Sequence, residues 1–181
     1  EGSSITVKTE RGTFQTERLI VTAGAWISHL LPVVKPRVTV ARQTVGYFKL
    51  AGNAKAYQVG CFPVWGYFLE GEDIEYYGLP EFGCEGIKLA RHITEGVDDD
   101  PDQVADTPPP EAVEDLRNFL TAQFTAPVER FVHAERCLYT NTATEDFILD
   151  HHPDYEHITI GAGFSGHGFK FGPLTGRILA S

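Results

Sequence analysis

From residue 37 to residue 92 the chain is written in strand pattern, and this stretch limits the folds open to it more than any other. Residues 37–50 form one long run rich in Val and Thr, with Tyr47 and Phe48 near its end. Residues 63–69, 74–79 and 86–92 follow as shorter runs, parted by Gly71-Glu72-Asp73 and Gly83-Cys84-Glu85-Gly86. Short runs of β-branched and aromatic residues broken by turn residues have the rhythm of an antiparallel sheet. Hydrophobic residues fill 42% of the 181 positions, enough to build a core and too many for a disordered chain.

On either side the pattern changes. Ile5-Thr6-Val7-Lys8-Thr9 alternates as a half-buried strand does, and Arg11-Gly12 makes a turn. Leu19-Ile20-Val21-Thr22-Ala23-Gly24-Ala25-Trp26 is an apolar run that meets a Gly and passes into a helix-like segment, Ala25 to Leu31. A buried parallel strand hands over to a helix in this way in an open α/β sheet. Val113, Leu116, Phe119, Leu120 and Phe124 recur at helical spacing behind Pro110 and the early acids Glu111, Glu114 and Asp115. An amphipathic helix packed on the sheet is expected there. Phe147-Ile148-Leu149-Asp150 and Ile158-Thr159-Ile160-Gly161-Ala162 read as short buried strands, and Leu174 to Ala180 as a helix. The expected class is α+β, with an α/β part formed by the two ends of the chain and a mostly antiparallel sheet between them.

With 15 basic and 25 acidic residues the net charge is −10. That argues against a nucleic-acid or membrane-surface partner, because phosphates are met by basic patches. No run of about 18 apolar residues is present to span a bilayer. Cys61, Cys84 and Cys137 are odd in number and widely spaced, with no CxxC pair. A disulfide framework is therefore not expected, and a reducing, cytoplasmic setting is. Glu95, Asp98, Asp99, Asp100, Asp102, Asp106 and Glu111 lack EF-hand spacing and read as a solvated loop. Asp150-His151-His152-Pro153, with Asp154 and His157, has no HExxH and no second cluster, so a metal site is not expected.

Three features carry possible chemistry. Gly161-Ala162-Gly163-Phe164-Ser165-Gly166-His167-Gly168 packs four glycines between a strand and a helix. It reads either as a tight structural turn or as a loop whose backbone approaches a ligand closely. Cys137 lies beside Arg136, which would favour the thiolate, yet a lone Cys in a strand is more often a small buried hydrophobe. Lys88 and His92 share a strand face through Ala90, so they either line a pocket or are edge-strand charges in water.

Taken in order, three segments carry a resemblance: Cys137-Leu138-Tyr139-Thr140-Asn141-Thr142, then Phe147 to Asp150 with His152-Pro153, then Gly161 to Lys170. They closely resemble the C-terminal part of the monomeric sarcosine oxidase family, flavin-dependent amine oxidases that include N-methyltryptophan oxidase and pipecolate oxidase. Tyr77-Gly78-Leu79-Pro80, with Gly86-Ile87-Lys88-Leu89-Ala90-Arg91-His92, resembles the family's substrate-domain strands. Leu19 to Trp26 resembles its FAD-domain strand, so Gly24 and Trp26 fall among cofactor-binding positions. The resemblance implies FAD, with Cys137 matching the cysteine joined to the flavin by a thioether at the 8α-methyl. It implies that Lys88 is poised over the flavin where O₂ is reduced, and that Tyr77 and His92 line the substrate pocket. His167 and Lys170 match residues at the flavin edge, with Lys170 pairing with the substrate carboxylate. Gly166 matches a loop residue beside the substrate, and Gly163 and Gly168 complete that cofactor-binding loop. The implied reaction takes a hydride from the carbon next to a secondary amine, sarcosine-like or N-methylated, while O₂ becomes H₂O₂. Small amine and O₂ are thus the implied partners.

No GxGxxG stands near the start of the chain, no methionine occurs, and the chain opens on a strand pattern and stops inside a helix pattern. The expectation is a C-terminal portion whose missing N-terminal half brings the pyrophosphate cradle. Alone, such a portion is expected to bind FAD weakly, to be inactive and to expose apolar surface. Residues 1–34 and 137–181 are assigned to the FAD-binding domain, and 36–136 to the substrate domain. Two other readings stay open. One is a flavin-dependent dehydrogenase that passes electrons to a carrier, and the other is an interaction module without activity.

Overall fold

The computed structural model describes residues 4–68, 74–92, 97–98 and 100–181, with the backbone alone for 74, 75, 97 and 98. The turn expected at Gly71-Glu72-Asp73 and the acids Glu95 and Asp99 lie outside the described residues. Eleven strands and three α-helices are described, and the class is α+β. The chain divides into two units: Glu1–Val40, Asp99–Pro101 and Tyr139–Ser181 in one, Ala41–Asp98 and Asp102–Leu138 in the other.

The first unit opens with a hairpin of β1 (Ile5–Thr9) and β2 (Gly12–Thr16), antiparallel, with Thr9 opposite Gly12. The turn at Arg11-Gly12 is where the sequence places it, but β2 was not legible. Its Phe14 is 57% exposed, so no buried alternation marks it. Next, β3 (Leu19–Val21) passes through a 3-10 turn, Gly24–Trp26, into the short helix α1 (Ile27–Leu30). Another 3-10 stretch spans Pro32–Arg37.

The second unit begins in β4 (Thr39–Leu50) and continues through β5 (Trp65–Phe68), β6 (Ile74–Leu79), β7 (Ile87–Arg91) and β8 (Val97–Asp98). Helix α2 (Pro110–Gln123) and strand β9 (Val128–Asn141) follow. The sheet order is β5-β6-β7-β4-β8, with β9 also paired to β4. Pairing is antiparallel from β5 through β4. The acidic stretch is not all loop, because Val97–Asp98 pairs with β4 and Pro101–Gln103 forms a 3-10 turn. Lys88 is not on an edge strand either, since β7 lies between β6 and β4.

One face of this sheet buries α2. Leu116 and Leu120 are 1% and 0% exposed, and they pack with Phe119 against Phe48, Tyr76, Ile87 and Leu89. Removing this apolar surface from water is the main force joining helix to sheet. Phe119 stacks on Tyr76 with centroids 3.9 Å apart. The Tyr76 hydroxyl donates to Asp115 Oδ2 at 3.0 Å, which ties the first half of α2 to β6. Tyr76→Phe keeps the ring and loses that bond, so the stability of the protein should fall by about 1 kcal/mol. A lower urea midpoint at unchanged slope would show it, and an unchanged midpoint would make the bond worthless.

The first unit is completed by β10 (Ile148–His152), β11 (Tyr155–Ala162) and α3 (Gly172–Leu179). The sheet order is β10-β11-β3, antiparallel between the first pair and parallel between β11 and β3. Its core joins Ile27, Val34, Ile160 and Ala162. Pro153-Asp154 forms the turn between β10 and β11.

Candidate functional site

Alternation along the strands puts one set of side chains on the sheet face opposite α2. Lys88 pairs with Tyr47 on β4 and Leu79 on β6, while Ala90 pairs with Val45 and Tyr77. Paired residues share a face. Tyr47, Tyr77 and Lys88 are therefore neighbours on one surface. His92, just beyond β7, sets its ring edge-on to Tyr77 with centroids 6.2 Å apart. From β9, His133 stacks on Tyr47 at 4.2 Å and lies 3.3 Å from Glu135. Cys137 continues the same i, i+2 row. Sequence reasoning missed Tyr47, His133 and Glu135, because nothing in strand periodicity says which strands become neighbours.

The electrostatics tie this group together. Burial pushes the Cys137 thiol up, the Lys88 ammonium pulls it down, and Glu135 pushes it up again. Arg136 was the cation expected to favour a thiolate there. Consecutive strand residues point to opposite faces, so the cation that acts on the thiol is Lys88, from β7. Cys84 is likewise raised by burial and by Glu135 and Glu81, and lowered by Lys88. Burial, then Glu135, raises the Tyr47 phenol. A protonated thiol beside an ammonium becomes more nucleophilic as pH rises, because the thiolate is the reactive form. Gln43, two steps along β4 from Val45, is 2% exposed. Its Oε1 meets no donor among the described residues. A buried acceptor in that state is an unfilled hydrogen-bond demand.

The glycine-rich loop belongs to the other unit. Gly166 has φ +74°, and a Cβ there would fall inside the Tyr139 ring. Gly163, at φ +65°, leaves room for the Thr142 methyl. These glycines are thus needed for packing against the chain itself, which favours the structural side of the two expectations for this loop. Ser165, buried and also left-handed at φ 47°, is held three ways. Its N–H donates to Thr140 O at 3.0 Å, its hydroxyl donates to Gly163 O at 3.1 Å, and it accepts from the Thr142 N–H at 3.3 Å. The loop is a fixed platform.

On that platform His167 packs on Phe147 at 4.9 Å. Its Nε2 lies 3.1 Å from Glu145 O; a carbonyl only accepts, so Nε2 carries the proton. Lys170 donates to His167 O at 2.9 Å, remains exposed, and sits 5.1 Å above the Phe171 ring. The helix does not follow Gly168 directly. A 3-10 turn, Phe169–Phe171, comes first, and α3 starts at Gly172. Gly24 (φ +54°) and Trp26 bound the 3-10 turn after β3, both exposed.

Comparison with known proteins bears on the family and the fold. The model of the DAO family, "FAD dependent oxidoreductase", matches residues 1–181. Monomeric sarcosine oxidase of Bacillus sp. (strain NS-129) is 36% identical over 180 residues, covering 97% of this chain and 46% of that protein. Mouse peroxisomal sarcosine oxidase is 38% identical over 188 residues, with 98% and 46% covered. N-methyl-L-tryptophan oxidase of Salmonella heidelberg is 29% identical over 185 residues, with 99% and 47% covered. The chain spans a little under half the length of these relatives. Among solved structures, the amadoriase I of Aspergillus fumigatus superposes with TM-score 0.77 at 20% identity, covering 99% of this chain and 42% of that one. NikD, an amino acid oxidase of nikkomycin biosynthesis, gives 0.78 at 21% identity, with 99% and 48% covered. At such identities these structures speak for the fold.

Proposed function

Because this chain belongs to the FAD dependent oxidoreductase (DAO) family, we propose that it forms part of a flavin amine oxidase acting on the C–N bond of a sarcosine-like or N-methyl amino acid. The observation that carries the reading is the thiol of Cys137 held under the charge of Lys88, on a sheet face that also presents Tyr47 and Tyr77. The donor set suits a flavin ring: a thiol able to bond covalently, a fixed cation, and flat phenols. The unfilled acceptor of Gln43 on the same strand face adds to the fit. The glycines of the G-x-G-x-x-G spacing at 161–166 are packed against the chain's own Leu179, Thr142 and Tyr139, so the pyrophosphate half of FAD is left to the rest of the protein.

FAD supplies the redox chemistry when bound: it takes two electrons from the amine and gives them to O₂, yielding H₂O₂. The chain's own residues supply position and charge. Cys137 anchors, and Lys88 keeps a cation in a partly desolvated place where a negative oxygen species develops. Tyr77 and His92 shape the amine's surroundings. Lys170 offers an ammonium to a carboxylate, a charge-assisted contact. In this reading residues 1–34 and 137–181 serve FAD, and residues 36–136 serve the substrate. The partners are a small secondary amine, O₂ and the rest of the same protein, and the chain without that remainder is inactive. Three free cysteines suit a reducing, cytoplasmic setting. No helix among the described residues is long and apolar enough to cross a membrane.

Acid precipitation of the complete protein tests the anchor. Yellow colour should stay in the wild-type pellet and leave the Cys137→Ser pellet. Attachment should also run faster as pH rises toward the raised pKa of Cys137, since only the thiolate bonds. Colour released from both proteins would refute covalent attachment, and a colourless protein would refute the flavin reading.

A further inference from the structure

His167 is held at two places on the glycine-rich platform, and the way it is held leaves one ring nitrogen open. Its Nε2–H donates to Glu145 O at 3.1 Å, and its Nδ1 meets no donor among the described residues. We propose that the turn after β9, residues 142–146, positions His167 as the Nε2–H tautomer, so that Nδ1 accepts a hydrogen bond from the N3–H of the flavin. Glu145 is then a positioning residue that acts through its backbone, and His167 is the acceptor that touches the cofactor. The inference rests on the flavin reading and adds to it the edge by which the ring is recognised.

Glu145 sits at φ 61°, a left-handed conformation that is unfavourable for an L side chain and persists only where the surroundings enforce it. Thr142 does the enforcing. Its carbonyl accepts from the Glu145 N–H at 3.3 Å, and its hydroxyl donates to Asp146 O at 2.9 Å. Its own N–H donates to Ser165 Oγ at 3.3 Å, which joins the turn to the loop that carries His167. The bonds close a circuit: loop to Thr142, Thr142 to Glu145, and Glu145 O back to the ring of His167. Phe147 fixes that ring from the side, and itself meets Phe164 and Phe171. The backbone is tied as well, since the His167 N–H donates to Phe164 O at 3.0 Å and Lys170 donates to His167 O at 2.9 Å. A flip of the imidazole would break its bond to Glu145.

The partner of Nε2 decides what Nδ1 can do. A carbonyl accepts and never donates, so Glu145 O keeps the proton on Nε2 and makes Nδ1 a lone pair. His167 is half-buried, which leaves that lone pair within reach of a ligand. A lone pair selects donors. The oxidised flavin ring carries a single N–H, at N3, between two carbonyls. An imidazole acceptor answers that N–H and repels the carbonyl oxygens beside it, so it discriminates between edges of the ring. The opposite tautomer would present a donor and favour a carbonyl instead.

The test uses the complete protein carrying Cys137→Ser, in which bound flavin exchanges. FAD is compared, by fluorescence quenching, with FAD methylated at N3, which lacks the N–H. FAD should bind roughly tenfold more tightly, as one hydrogen bond in a desolvated site allows. His167→Gln keeps an N–H within reach of Glu145 O but loses the Nδ1 acceptor, so it should bind FAD more weakly and lose the preference. Glu145→Val, whose branched side chain resists a left-handed backbone, should lose part of the preference, and Glu145→Gly should recover it. Melting curves confirm that each variant is folded. A second measurement needs no flavin. In cofactor-free protein with nitrogen-labelled histidine, the NMR signal that vanishes in His167→Gln should show a protonated Nε2 and a bare Nδ1. On adding FAD the Nδ1 resonance should move and the Nε2 resonance should stay. Equal affinity for the two flavins, a preference unchanged in folded His167→Gln, or a proton on Nδ1 would overturn the inference and leave the flavin reading standing. Absence of any FAD binding would overturn both.

Discussion

Gly166→Ala is expected to unfold the 163–168 platform and to take cofactor binding with it. Two costs add. The position is left-handed at φ +74°, which an L side chain adopts at about 1–2 kcal/mol. The new methyl would also enter the Tyr139 ring, an overpacking that costs roughly 1–3 kcal/mol where backbone and ring are both fixed. Here both are: Ser165 ties the loop to Thr140, next to Tyr139 on β9, and to Thr142 just beyond the strand. A loss of about 2–5 kcal/mol follows, a large share of the stability of an ordinary domain. Denaturant unfolding of the complete protein measures it, and flavin content of the purified variant gives the second reading. Pairing Gly166→Ala with Tyr139→Ala separates the terms. Relief of the clash should recover part of the loss, while the dihedral cost remains. A Gly166→Ala protein as stable as wild type, with full flavin, would mean that the loop yields easily.

Lys88→Met should slow the reaction with O₂ by about two to three orders of magnitude, the usual effect of removing one preorganised charge from a developing anion. The substitution keeps length and packing on an inner strand and deletes only the charge. The measurement compares two half-reactions of the complete protein. Bleaching of the visible spectrum by an N-methyl amino acid, without air, should persist. Recovery of the colour on admitting O₂ should become slow. Lys88→Arg, which keeps a cation in a different shape, should fall between. Equal losses in both half-reactions would make Lys88 a residue that shapes the pocket. An undiminished O₂ rate would refute its assigned role and favour the carrier-linked dehydrogenase. The thiol of Cys137 reports on the same charge. In flavin-free protein, where the Cys137 thiol is unbonded, Lys88 lowers its pKa, so Lys88→Met should raise it further and shift alkylation of Cys137 to higher pH.

Much of the fold is readable from local pattern. The strand Leu19–Val21, the long strand ending at Leu50 and the helix that opens at Pro110 all lie where periodicity and punctuation put them. What escaped lacks a local signal. Val97–Asp98 is a two-residue strand inside an acidic run, and it exists because β4 has a free side to pair with. Strand β2 buries too little to alternate. At the site, Cys137, Lys88, His92 and the glycine loop stood out as residue types, and Tyr77 and the roles of all of them came from the family resemblance. Tyr47, His133 and Glu135 did not stand out, because each is an unremarkable strand residue until its neighbours are known.

The sequence by itself determined the local elements, the side each strand residue shares with its i+2 neighbour, and the acidic charge. Periodicity is a property of neighbours along the chain, and it is written in residue order. The tertiary structure decided which strands lie side by side and in what register. That choice set Lys88 of β7 against Tyr47 of β4 and brought its charge to Cys137 of β9. It also sent Arg136 to the opposite face, where it joins Arg42 and Arg91. A register slip of one residue would reverse both faces, so pairing between distant strands, which no local pattern encodes, decides what the sheet can bind.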